Sequence, residues 1–192
     1  GARLSAGDVG INYDFGGLPG VVKRKVMHGA NDFSRGPAMT REQALKCLQV
    51  GIDMAREEKN KGLDIVAAGE MGIGNTTTSS AVACALLNRP VAEMTGRGAG
   101  LSDKGLERKL WAVETALERS RPNPMDPLDV LSKVGGFDIA GLCGVCLGGA
   151  LYRVPIMMDG FISTVAALCA LRLCPEAGKA MFASHVSAAP AG

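Results

Sequence analysis

The feature that most constrains this chain is residues 63–87, LDIVAAGEMGIGNTTTSSAVACALL. It predicts a strand, a glycine turn and a helix in immediate succession. Residues 63–68 are a short apolar run, of the kind found in a strand buried on both faces. Gly69, Gly72 and Gly74 then permit a sharp turn and a close approach of backbone to a ligand. Thr76, Thr77 and Thr78 offer oxygens for an N-cap, and residues 79–87 are small and apolar enough for a packed helix. A strand that feeds a helix this way aims free N–H groups and the positive end of the helix dipole at one place. That place suits an anion, most often a phosphate. Gly69 and Gly74 match the G-x-x-x-x-G half of a P-loop, but Asn75-Thr76 stands where Lys-Ser/Thr would follow. Without that lysine the loop suits a monophosphate, such as one carried on a ribose, better than a triphosphate, and an ATPase is disfavoured. An ordinary packing turn uses the same glycines, so spacing alone leaves both readings open.

The rest of the chain continues the alternation. An apparent strand ends at Asp8. Residues 10–38 are loop-rich and carry Lys23, Arg24 and Lys25, a run expected to be solvated or to attract an anionic substrate. Thr40 and Gln43 have capping-box spacing, with Leu45, Leu48, Ile52 and Ala55 following on one helical face. A second glycine loop, Gly96-Arg97-Gly98-Ala99-Gly100, precedes a helix capped by Ser102, with Leu106, Leu110, Val113 and Leu117 at helical spacing. Lys109 lies at the margin of that stripe, where a solvated or snorkelling side chain is the plain expectation. Three prolines within residues 121–127 mark a connection, and 129–134 a short helix. Gly135-Gly136-Phe137-Asp138 leads into a helix of small residues over 139–151. Residues 154–158 read as a second buried strand ended by Asp159-Gly160-Phe161, after which Ser163 or Thr164 opens an apolar helix to 173. Residues 181–184 read as another strand, and His185, Ser187 and Pro190 follow in a small-residue tail.

This alternation predicts one doubly wound, Rossmann-like α/β domain over residues 1–192, with a mainly parallel sheet and helices on both faces. Ligands of such sheets gather beyond the carboxyl ends of the strands, where Glu70, Gly72, Asp159 and Gly160 fall. Abundant glycine (26) and sparse aromatic residues (4%) suit closely packed small-residue helices. A formal net charge of +2 without a long basic run makes nucleic acid an unexpected partner. No apolar run has the length of a membrane span and no signal peptide is read, so no membrane association is expected. The six cysteines sit in apolar or helical contexts, which suits packing thiols kept reduced in a cytoplasm. Cys143 and Cys146 have C-x-x-C spacing but no second pair to complete a zinc site. No metal and no cofactor are expected.

The motifs GEMGIGNTTTSSA, GRGAGL, GGFDIAGL, PIMMDGFIST and SHVSAAP occur in the order found in the nicotinate-nucleotide:dimethylbenzimidazole phosphoribosyltransferases, and nearly the whole chain resembles that family. The resemblance implies a step of cobalamin lower-ligand synthesis. The phosphoribosyl group of nicotinate mononucleotide would pass to a benzimidazole nitrogen, with inversion at the anomeric carbon and release of nicotinate. The protein would hold the two partners in line and take the benzimidazole proton. Carried over by motif, Gly72, Gly74, Asn75 and Thr76 form part of the ribose-phosphate site. Gly98 and Gly100 form a second phosphate loop, and Lys109 lies near the phosphate. Glu70 faces the reacting groups, where it polarises the azole or stabilises positive charge on the ribose. Asp159, Gly160 and Phe161 line the nucleotide pocket, and Ser187 lies near the donor.

The chain also departs from the family pattern. Family members are longer at both ends, and their N-terminal region helps build the benzimidazole pocket. Their usual base is a glutamate in a glycine-rich segment near the C-terminus, with no counterpart in these 192 residues. Ala189 stands where the family often has glutamate. The chain is therefore expected to be the large nucleotide-binding portion of such an enzyme, with little or no catalysis unless Glu70 serves as base. The alternative is a non-catalytic nucleotide-binding or interaction fragment. A cytoplasmic homodimer is the expected setting.

Overall fold

The computed structural model describes residues 2–98 and 100–185. Strands β1 (Ala6–Asp8) and β2 (Val21–Lys23) form a parallel pair that registers Ala6 with Val21. The buried carboxylate of Asp8 organises the loop between them. It accepts N–H groups from Gly10 at 3.2 Å and Ile11 at 3.1 Å, and it pairs with Lys25 at 2.8 Å. Lys25 also donates to the carbonyls of Ile11 and Tyr13. The basic run 23–25 is thus not uniformly solvated. Arg24 pairs with Glu57 on the surface, whereas Lys25 turns inward because a buried carboxylate needs a counter-charge.

Helix α1 (Arg41–Asn60) opens on the expected reciprocal cap: Gln43 N donates to Thr40 Oγ1 at 3.1 Å, and Thr40 N to Gln43 Oε1 at 2.8 Å. Its buried face is Ala44, Cys47, Leu48, Gly51 and Ala55, and Leu45 is left 47% exposed. The small residues win because α1 lies against α6 (Phe137–Tyr152), whose own glycines bring the two backbones together. A Cβ on Gly51 would stand 2.0 Å from the Gly141 carbonyl oxygen, and one on Gly144 2.1 Å from that of Leu48.

The second sheet runs β3 (Val66–Ala68), β4 (Ile156–Met158), β5 (Met181–Ala183), parallel throughout, pairing Val66 with Ile156 and Ile156 with Met181. Parallel neighbours require helical crossovers. Between β3 and β4 lie α2 (Thr76–Leu87), α3 (Val91–Met94), α4 (Asp103–Ser120), α5 (Pro127–Val134) and α6. Between β4 and β5 lie α7 (Phe161–Leu173) and a 3-10 turn over Pro175–Ala180. The result is the α/β class expected, with the strands divided between two parallel sheets. Expected strand 63–68 is shortened to β3 and is not buried on both faces. Ile65 is 49% exposed and Ala67 is exposed, because β3 is the sheet's edge.

Helix starts fall earlier than the apolar patterns suggest. Asp126 caps α5 by accepting from Leu128 N at 3.1 Å, so Pro127 is its first residue. Gly136 caps α6, which puts Asp138 inside the first turn. Gly160 caps α7, and the Ser163 hydroxyl accepts from Gly160 N at 2.9 Å. The core gathers α2, α5, α6 and α7 around Val82, Val130, Leu131, Ile139, Ile156 and Val165. Cys47, Cys84, Cys143, Cys146 and Cys169 are buried in it as free thiols and Cys174 is half-buried, which fits packing cysteines. Burial pushes the thiols of Cys146 and Cys169 up to about 12. Among the described residues, no helix is long and apolar enough to cross a membrane.

Candidate functional site: a cleft between two glycine loops

Strand β3 ends at Ala68 and the chain turns through residues 69–75 into α2. Gly72 and Gly74 adopt φ of +73° and +78°, which side-chain-bearing residues seldom do. A Cβ on Gly74 would meet nothing within 4 Å, so glycine is needed there for its backbone angle and not for lack of room.

The N-cap of α2 is Asn75, and the threonines are not caps as expected. Among the described residues no side chain caps this end. Asn75 instead turns its amide away, donating from Nδ2 to Glu70 Oε2 and to Asp138 Oδ2, each at 2.6 Å. Glu70 also accepts from Gly72 N. Thr78 Oγ1 donates back to the Asn75 carbonyl at 3.0 Å. The first N–H groups of α2 therefore face a cleft without a side-chain acceptor. That cleft, about 260 Å³, is lined by Gly72, Gly74, Thr76, Thr77, Arg97, Gly100 and Leu101.

The second glycine loop forms its other wall. Gly98 and Gly100 take φ of +59° and +94°. A Cβ on Gly98 would sit 2.9 Å from Thr76 Oγ1, so the two loops touch. Lys109 joins them from α4. Its Nζ donates to Thr76 Oγ1 at 3.0 Å and to the Gly96 carbonyl at 2.9 Å. The expected solvated side chain is in fact 6% exposed, because Val113 and Ala116 on the same face dock α4 onto α2 and carry Lys109 inward. Among the described residues no carboxylate pairs with it. Burial holds its pKa below the ordinary lysine value. Another helix thus brings an ammonium to the start of α2, where the loop sequence itself has none. Arg97 stands at the rim, paired with Asp103 at 2.5 Å and donating to the Leu101 carbonyl at 2.8 Å.

The remaining candidates are placed less closely. Asp159 follows β4, is exposed, and lies 3.8 Å from where a Cβ of Gly69 would stand. Gly160 caps α7, and Phe161 opens that helix half-buried against the core. Ser184 Oγ donates to the Met158 carbonyl at 2.7 Å, beside His185. Ser187 lies outside the described residues. Sequence reasoning assigned no role to Arg97, Leu101 or Asp138. Arg97 was readable as the cation within its glycine loop. Asp138 had two signals, its place in the motif GGFDIAGL and an acidic residue just after a Gly-Gly pair, where a helix start favours it.

Parallel α/β architecture with a strand–glycine turn–helix unit puts the molecule in the doubly wound class, whose ligands in general gather beyond the carboxyl ends of the strands. The chain belongs to a phosphoribosyltransferase family, whose model matches residues 1–192. It is similar to the nicotinate-nucleotide–dimethylbenzimidazole phosphoribosyltransferases of Geobacter sulfurreducens, 49% identical over 187 residues, and Ruminiclostridium cellulolyticum, 50% identical over 183 residues. These alignments cover 97% and 95% of this chain but 53% and 52% of the relatives, so the chain spans about half their length. The crystal structure of CobT from Thermus thermophilus superimposes with a TM-score of 0.92 at 40% identity, over 97% of this chain and 56% of that one.

Proposed function

We propose that this chain, as one nucleotide-binding domain, binds nicotinate mononucleotide and serves transfer of its phosphoribosyl group to 5,6-dimethylbenzimidazole. The products are α-ribazole 5'-phosphate and nicotinate. The observation that carries the proposal is Lys109: a buried ammonium with no carboxylate partner among the described residues, held between two glycine loops beside an uncapped helix N-terminus. A cation left uncompensated in that setting calls for an anion. The 5'-phosphate would take the N–H groups at the start of α2 and the ammonium together.

With the phosphate so held, the ribose lies toward the end of β3, where Glu70 stands. The acceptor nitrogen attacks the anomeric carbon as the bond to nicotinate breaks, and positive charge on the ribose peaks between the two events. A fixed carboxylate nearby lowers that barrier. The benzimidazole must also lose its N–H proton, and Glu70 is the carboxylate of this chain proposed to receive it. Asp159, Gly160, Phe161 and Ser187 are proposed to line the donor side, in a cytoplasmic homodimer.

Calorimetric titration with nicotinate mononucleotide, followed by a product assay with dimethylbenzimidazole, tests this. Lys109→Ala is expected to weaken binding at least about tenfold, the size of a lost charge-assisted contact. An unchanged Kd would sink the phosphate assignment. Binding without turnover would support donor binding and reject Glu70 as a sufficient base.

A further inference from the structure

We propose that Asp138 is a positioning residue: through the Asn75 amide it holds the Glu70 carboxylate, and the glycine turn bonded to it, in their working orientation. The functional part rests on reading Glu70 as the carboxylate that faces the donor. The structural part stands on contacts alone.

Asn75 Nδ2 has two hydrogens and gives one to each carboxylate, at 2.6 Å to Glu70 and 2.6 Å to Asp138. Its Oδ1 is buried and has no partner among the described residues. An unsatisfied buried acceptor is unfavourable. Rotating the amide would be worse, since it would set a carbonyl against two carboxylate oxygens. The two carboxylates therefore dictate the amide's orientation.

Asp138 does not line the cleft, and the side-chain hydrogen bond that ties it to the glycine turn, among the described residues, is the one from Asn75. It comes from the first turn of α6, where the helix dipole favours a carboxylate. Gly136 makes room for it: a Cβ there would lie 2.5 Å from Asp138 Oδ1. From the other side the carboxylate is felt by the buried Cys47 thiol of α1. Burial first, and then the Asp138 charge, push that thiol up to about 12. The contacts form one connected chain: Asp138 on α6 accepts from Asn75, the same amide donates to Glu70, and Glu70 accepts the Gly72 N–H. Asn75 is also the N-cap residue of α2, so this arrangement sets the start of the anion-facing helix.

The test combines side-chain amide resonances of the 192-residue chain with calorimetry. In the parent, both Asn75 Nδ2 protons should lie downfield and exchange slowly. Asp138→Ala should move one of them and Glu70→Gln the other. With nicotinate mononucleotide as probe, Asp138→Ala should raise Kd about tenfold, and Asp138→Asn, which keeps an acceptor oxygen, less than about twofold. In an Asn75→Ala background Asp138→Ala should add nothing further. Unmoved Asn75 resonances in a folded Asp138→Ala chain, or additive effects in the double variant, would overturn the proposal. If Asp138→Ala does not fold, Asp138→Ser makes the same comparison. A parent chain that fails to bind the nucleotide would reject the proposed function, and the resonance shifts would still decide the role of Asp138.

Discussion

At the residue scale, Lys109 shows how position overrides type. Its sequence context allows a surface lysine, and tertiary packing makes it a buried cation with no carboxylate beside it among the described residues. Burial lowers its pKa, so the unfolded chain binds its proton more tightly than the folded chain does. The free protein should therefore gain stability as pH rises from the lowered Lys109 value toward the ordinary 10.5. Donor binding should move the opposite way. Affinity should fall as pH rises through the lowered value, since only the ammonium attracts phosphate. Titrations from neutral to alkaline pH check this, and a flat profile in the parent, matching that of Lys109→Ala, would refute it. Gly98 is the second residue whose role is specific. Its φ of +59° and the Thr76 hydroxyl 2.9 Å from its would-be Cβ leave no place for alanine. Gly98→Ala should displace Thr76 from Lys109 and weaken nucleotide binding about tenfold with a small loss of stability; an unchanged Kd would place the anion elsewhere.

At the element scale, the α1–α6 pair supports the site from behind. Helix α6 carries both the glycines that meet α1 and the Asp138 that meets Asn75. Added methyl groups at that contact have nowhere to go, because the obstructing atoms are backbone. Gly51→Ala, with its Cβ 2.0 Å from a carbonyl oxygen, should cost about 3 kcal/mol or more and lower Tm by roughly 6–12 °C. Gly17→Ala, where a Cβ meets nothing within 4 Å, is the control and should leave Tm nearly unchanged. Thermal melts of the two variants decide the matter. Helix α1 also marks the limit of pattern reading. Its capping box was legible in Thr40 and Gln43, because a cap is a local matter of spacing. Its buried face was legible only in part: Leu48 and Ala55 are buried as the spacing predicts, but the glycines of a helix far off in sequence turn the face toward Ala44, Cys47 and Gly51 and leave Leu45 exposed.

At the scale of the whole molecule, the cleft joins α2, α4 and the loop before α4, so occupancy should stabilise the fold as a unit. Nicotinate mononucleotide at about a hundred times its Kd should add about 2.7 kcal/mol and raise Tm by roughly 5–10 °C, and Lys109→Ala should abolish most of that rise. A shift of equal size in the variant would argue against the assignment. The sequence by itself determined the α/β class, the strand–turn–helix unit and the glycines of both loops. Each of these follows from local periodicity, backbone angles or motif, which neighbouring residues settle among themselves. Only the tertiary structure decided that Lys109 is buried, that the Asn75 side chain bonds two carboxylates and makes no cap to α2, and that Asp138 is one of the two. Those outcomes depend on which helices meet. Asn75 and Asp138 are 63 residues apart and Lys109 and Thr76 are 33 apart, and no local rule relates such partners until the core has packed.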